Sequence, residues 1–222
     1  QDIILEPIAS AESILNENEK SLGVLLVDIG GGTSDVAFYH NGSLLYTEII
    51  PVAGNVFTND LAICLQTSHD EAEELKKTYG ILNCNEKEEK EDNVKIYTVD
   101  GENTKEVKTT LIQNILESRA IELVSLIKDA ISKYEHAYNI PSGIVLTGGG
   151  SLLKGIDIVT EGITGLKART GIPKVSSTYK HALEHPSFAT SYGLLLYAIK
   201  NTTSEIYPGS SFSIAKFFSK MK

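Results

Sequence analysis

The sequence has no tryptophan, one methionine and two cysteines in 222 residues. Cys64 and Cys84 lack the spacing of a metal knuckle, so neither a zinc ribbon nor a disulfide framework organises the fold, and a reducing cytoplasm is expected. Positive charge is short as well: 20 Lys and Arg face 29 Asp and Glu, a net charge of −9. With no basic stripe to neutralise phosphates, nucleic acid is not an expected partner. No apolar run is long enough to cross a bilayer. The five histidines are scattered, and His181 and His185 read as surface residues rather than ligands. What is present, 41% hydrophobic and 22% charged residues, is the composition of a soluble globular protein of one large domain or two small ones.

The chain is organised around Leu22 to Pro51 (LGVLLVDIGGGTSDVAFYHNGSLLYTEIIP). An apolar strand, Leu22 to Ile29, is interrupted near its end by Asp28. Gly30, Gly31, Gly32 and Thr33 follow, then strand patterns from Asp35 to Tyr39 and from Leu44 to Ile50, joined by the hairpin signal Asn41-Gly42. Consecutive glycines leave amide N–H groups uncovered and permit φ > 0, which lets a turn curl around a phosphate. A carboxylate at the end of a buried strand, Asp28, could hold a hydrated Mg²⁺ beside it, and Thr33 could donate a hydroxyl. The competing reading is a tight hairpin that needs glycine for its own geometry. An acid in an apolar strand just ahead of the glycines tilts the balance toward phosphate, because buried carboxylates are rare without a partner.

Upstream, Ile3 to Leu5 reads as the end of a strand. Glu6-Pro7 opens a helix carrying Ile8, Ala11 and Leu15, with Glu6 placed to favour the helix N-terminus. Asn16 to Ser21 reads as a polar loop. Downstream, Thr58 is an expected N-cap for a helix to about Leu65. Ser68 with Glu71 caps a second helix ending at Tyr79-Gly80. On it Glu73 and Lys76 share a face, which by spacing alone is an exposed ion pair. Glu86 to Asp92 is a solvated charge run. Val94 to Val99 and Thr104 to Lys108 form a hairpin around Asp100-Gly101. A long helix, capped by Thr110 and Gln113, carries the apolar stripe Ile112, Ile115, Leu116, Leu123, Leu126, Ile127, Ala130, Ile131 and Tyr134.

Gly143 to Leu146 is a short buried strand, and Thr147-Gly148-Gly149-Gly150-Ser151 is a second glycine turn, with Leu152, Leu153 and Ile156 expected beneath it. Strand-to-helix turns of this kind receive nucleotides in α/β sheets, although glycine also serves close helix–strand packing. Gly171 to Val175 is an expected strand end, and Phe188 to Lys200 a helix with small packing residues Ala189, Gly193 and Ala198. Asn201 to Ser211 reads as a polar tether. In the last eleven residues, FSIAKFFSKMK, a helical wheel puts Ile214, Ala215, Phe217, Phe218 and Met221 on one side and Lys216 and Lys220 on the other. That is the pattern of an interfacial helix attracted to anionic lipid. A docked or disordered end is the plainer alternative, and one such helix binds weakly unless multiplied.

These motifs together resemble the actin-like ATPase superfamily. Asp28 to Thr33 with Asp35 is similar to its second phosphate loop, and Gly143 to Ile156 to its adenosine motif. Glu6 to Ala11 and Phe188 to Ile199 are similar to its two connecting helices. Ile50-Pro51-Val52-Ala53-Gly54-Asn55, Thr58 to Ala62, Leu5 to Leu15 and the tether-plus-tail narrow the resemblance to the FtsA family. The resemblance implies a ribonuclease H-like α/β fold of which this chain is the second half. Residues 1–57 and 139–200 would form one subdomain (IIA), 58–138 an inserted smaller α/β subdomain (IIB), 201–211 a flexible tether and 212–222 a membrane-targeting helix.

It further implies ATP and Mg²⁺ as cofactors, with Glu6 and Asp28 positioning Mg²⁺ or the attacking water. Gly30, Gly31, Gly32 and Thr33 would hold phosphates, Glu73 and Lys76 the ribose, and Gly148, Gly149 and Gly150 the base and sugar. Self-association into filaments, FtsZ as a partner and a place on the cytoplasmic face of the cell membrane at the division site belong to the same implication. Rival readings are another actin-like scaffold, of MreB or PilM type, and a chaperone-type ATPase. The first phosphate loop of the superfamily has no counterpart after Gln1, so this stretch alone is expected to bind nucleotide weakly and hydrolyse it negligibly.

Overall fold

In the computed structural model, residues 3–82, 92–133, 139–175 and 180–206 are described. The apolar run becomes β1 (Val24–Ile29), followed by β2 (Ser34–His40) and β3 (Ser43–Ile50). Asn41 and Gly42 both take positive φ, 50° and 76°, as a two-residue hairpin turn requires. β6 (Ile144–Thr147) and β7 (Ala168–Thr170) complete a five-stranded sheet of order β3-β2-β1-β6-β7. β1 runs antiparallel to β2 and parallel to β6, which pairs Asp28 with Thr147 and brings the carboxyl ends of β1 and β6 level.

Both faces of the sheet are covered. Leu25, Val27, Ile29, Val36, Phe38, Ile144 and Leu146 point into one core. The alternate residues Val24, Leu26, Ala37, Tyr39 and Val145 point into the other. A strand buried on both faces reads as a continuous apolar run, as β1 does. Each fully buried Leu or Ile contributes about 1.5–3 kcal/mol. On the second face lie α1 (Glu6–Ile14) and α8 (Ala189–Ile206), with Ala11, Ile14 and Ala189 in the core. On the first lie α5 (Thr109–Ser132) and α6 (Ile156–Thr164). The stripe of α5 is buried at Ile112, Leu116, Leu123, Ile127, Ala130 and Ile131, and Ala120 and Val124 extend it. Tyr134 lies outside the described residues.

Between β3 and β6 the chain forms α3 (Gly54–Cys64), α4 (His69–Tyr79), the separate hairpin β4 (Asn93–Tyr97) and β5 (Thr104–Lys108), and then α5. The core runs unbroken from the sheet through Phe57, Leu61, Leu75 and Ile96 of this segment. The Arg119 guanidinium of α5 donates two hydrogen bonds to Asp60 of α3, at 2.6 and 3.0 Å.

Several local expectations are corrected. Ile3 to Leu5 is no strand; Leu5 is the extended residue ahead of α1 and is half exposed. Asn16 to Ser21 is not a loop. It forms most of α2 (Glu17–Leu22), where Asn16 accepts from the Glu19 N–H and the Glu19 carboxylate accepts from the Asn16 N–H. α3 begins at Gly54 rather than after Thr58, and α5 begins at Thr109 with no side-chain cap. The edge strand β7 stops before Gly171–Val175, where Pro173 supplies no N–H. α8 continues to Ile206, into the segment whose composition marks a tether. The short α7 (Lys180–Leu183) precedes it. Residues 207–222, including the amphipathic tail, and most of the run Glu86 to Asp92 lie outside the described residues.

Candidate functional site

The level carboxyl ends of β1 and β6 open into a cavity of about 900 Å³. Every residue expected at a site lines it: Glu6, Asp28, Gly30 to Thr33, Glu73, Lys76 and Gly148 to Gly150. The sequence places these on four separate stretches, and the fold brings them together.

The first turn is closed by the Gly30 N–H donating to the Thr33 carbonyl at 3.0 Å. It is fastened to α3 by the Gly54 N–H on the Gly30 carbonyl (3.0 Å) and the Asn55 N–H on the Gly31 carbonyl (2.8 Å). Gly31, Gly32 and Thr33 are exposed, and their amide N–H groups take no acceptor among the described residues. Successive free amides are the material from which anion-binding concavities are built. None of these glycines has a positive φ, so the expected need for left-handed backbone is not met here. Gly148 in the second turn does take it, at φ 79°. A Cβ there would lie 2.4 Å from Asp28 Oδ1 and 2.5 Å from the Ile29 carbonyl, so glycine is required by two independent constraints. Leu152, expected beneath this turn, is half exposed and lines the cavity instead.

The floor is acidic. Asp28 Oδ2 accepts from Ser10 Oγ (2.5 Å) and from Thr190 Oγ1 (3.0 Å). The Asp35 carboxyl is held above its ordinary value, first by burial and then by the negative charges of Glu6 and Asp28; a hydrogen bond from Thr33 opposes this only in part. A carboxyl raised by neighbouring negative charge favours a cation beside it. Among the described residues no three acidic, His or Cys side chains form a closed metal cage.

Also lining the cavity, Glu73 and Lys76 form a built pair, not a loose surface one. Lys76 Nζ sits 2.7 Å from Glu73 Oε2 and donates to Thr58 Oγ1 at 2.8 Å and to the Gly54 carbonyl at 3.1 Å. The fully buried Thr58, first read as a helix cap, donates to Glu73 at 2.5 Å. Burial pushes the Glu73 carboxyl up, but the Lys76 and Thr58 hydrogen bonds and the neighbouring lysine charges outweigh it and leave it lowered. Sequence reasoning missed Ser10, Thr58, Asn55, His185, Ser187 and Thr190. Asn55 and Thr58 lie inside the phrases that narrow the resemblance, and Ser10 and Thr190 inside the stretches similar to the connecting helices, but sequence reasoning reads none of them as a site residue.

The family profile described as cell division protein FtsA matches residues 25–193. The chain belongs to the FtsA family. It is 37% identical over 215 residues to the cell division protein FtsA of Pseudomonas aeruginosa, covering 96% of this chain and 51% of that protein. The FtsA of Escherichia coli strain K12 is 32% identical over 202 residues, 88% of this chain and 48% of that protein. The chain thus spans about half the length of these FtsA relatives. Among solved structures, MreB5 of Spiroplasma citri bound to ADP superposes with a TM-score of 0.71 at 23% identity, covering 93% of this chain and 62% of that one. The PilM-PilN type IV pilus biogenesis complex gives 0.68 at 19% identity, covering 89% and 53%. The fold is therefore actin-like, as the order of motifs implied.

Proposed function

We propose that this FtsA-family chain forms one wall of a Mg²⁺–ATP site in an actin-like protein that polymerises and ties the FtsZ ring to the cytoplasmic membrane. One observation carries the nucleotide part: two glycine turns, from Gly30 and from Gly148, open into a single cavity that the fixed Glu73–Lys76 pair also lines.

The donor set fits the group. The amides of Gly31, Gly32 and Thr33 would take phosphate oxygens, and Lys76 with Glu73 would take ribose hydroxyls. The backbone of Gly148 to Gly150 would accept the base and sugar. Asp28, without a closed cage around it, suits Mg²⁺, which keeps most of its waters and uses one or two carboxylates. Glu6 at the cavity edge would orient a water. When bound, Mg²⁺–ATP supplies an anhydride whose charge the metal neutralises. The chain's own part is to bind, orient and exclude water, with nucleotide state biasing polymer contacts more than driving turnover.

We assign residues 58–138 as the inserted subdomain and residues 1–57 with 139–200 as its base. The membrane part rests on the sequence of the tail, in which a helical wheel would set Phe217, Phe218 and Met221 against Lys216 and Lys220. A family membership shared with cell division proteins and a fold shared with an ADP-bound MreB support the whole. Two measurements test it: calorimetric titration of the full-length protein with Mg²⁺–ATP, and flotation on anionic liposomes with and without residues 210–222. Micromolar binding and tail-dependent flotation are expected. Equal flotation of both forms would remove the anchor, and no heat of binding would remove the nucleotide.

A further inference from the structure

Two hydroxyls bonded to Asp28 have no role in the reading above. Ser10, fully buried on α1, and Thr190, in the first turn of α8, stand 180 positions apart in sequence. Both donate to the same atom, Asp28 Oδ2, at 2.5 and 3.0 Å, and their oxygens lie 3.0 Å from each other. The helices that carry them are locked together. Ser13 Oγ donates to the Ala189 carbonyl at 2.7 Å, and a Cβ at Gly193 would lie only 1.7 Å from the Ala9 carbonyl. The second carboxylate oxygen, Oδ1, lies against Gly148, where no side chain can stand.

We propose that Ser10 and Thr190 are positioning residues for Asp28. The terminal torsion of an aspartate is broad and weakly held. Two donors from two separate helices, converging on Oδ2, fix that torsion and leave Oδ1 as the oxygen offered to a hydrated divalent cation. This rests on the Mg²⁺–nucleotide reading and deepens it by assigning different duties to the two oxygens of one carboxylate. A purely structural pair of hydroxyls would instead hold α1 to α8 without regard to metal.

The test is the Mg²⁺ dependence of binding a fluorescent ADP analogue to the full-length protein, followed by anisotropy, beside the same titration in EDTA and a melting curve. In Thr190→Val and in Ser10→Ala the half-saturating Mg²⁺ concentration rises on the order of tenfold, as for loss of a group that orients a metal ligand. Affinity in EDTA stays within about twofold, on the same footing that only the metal's ligand has been disturbed. Thr190→Ser, which keeps the hydroxyl, restores the native Mg²⁺ response. The proposal is overturned by an unchanged Mg²⁺ response in both variants, by Thr190→Ser behaving like Thr190→Val, or by equal losses with and without Mg²⁺. Failure of the unmodified protein to bind the analogue under either condition would overturn the nucleotide reading, and this inference with it.

Discussion

Gly30–Gly32 and Gly148–Gly150 face one cavity, yet glycine answers a different need in each. In the first turn no φ is positive, and a Cβ on Gly32 would meet nothing within 4 Å. In the second, Gly148 is left-handed, and Cβ atoms on Gly148 and Gly150 would press into Asp28 and Ile29 at 2.4 and 2.3 Å. The second turn is glycine so that β1 and β6 can end side by side. The first is glycine although the protein's own packing does not demand it at Gly32, where the proposed phosphate contact would supply a reason. A glycine that the fold does not need is the better pointer to function.

Substitutions can break that contrast. The largest effect is expected for Gly148→Ala, which must distort a left-handed backbone already in contact with the β1 end, a loss of about 3 kcal/mol in urea denaturation. Gly32→Ala should change stability by no more than about 0.5 kcal/mol. It should nonetheless weaken Mg²⁺–ATP binding on the order of tenfold, about 1.4 kcal/mol. If Gly32→Ala unfolds the protein, or leaves binding intact, the two turns do not differ in the way described.

Glu73→Gln probes the Glu73–Lys76 pair. Its carboxyl is lowered from 4.5 in the folded protein, so its contribution is complete above that value and is lost as pH falls through the folded one. The native and Glu73→Gln melting curves should differ by about 0.5–1 kcal/mol at pH 7. They should converge as the pH drops below 4.5. Asp35→Asn is the smallest change and has the opposite sign. Because the folded carboxyl is raised above 3.8, ionisation costs the folded state stability, a cost absent below that value and complete above the folded one. The variant should therefore melt about 2 °C higher at neutral pH. This advantage should vanish near pH 3.8.

Much of this was legible locally. The meander followed from an apolar run, Asn41-Gly42 and alternating residues, and α4 from Ser68 accepting the Glu71 N–H. The α5 stripe followed from helical spacing. What escaped had two causes. The reciprocal Asn16–Glu19 cap was visible but was obscured by the polarity of its neighbours. Thr58 looked like a cap, yet its hydroxyl serves a carboxylate fifteen residues on. Ser10 and Thr190 lie in stretches legible as helices, but their duty to Asp28 exists only once α1 and α8 meet at the end of β1. Glu73 and Lys76 were readable as a pair, while their fastening to Thr58 and Gly54 was not.

The most direct test is backbone amide hydrogen exchange of the full-length protein with and without Mg²⁺–ATP. The amides of Gly31 to Thr33 and those of Gly148 to Gly150 should slow together, at one nucleotide concentration. Slowing of only one turn, or of neither, would contradict a shared nucleotide cavity.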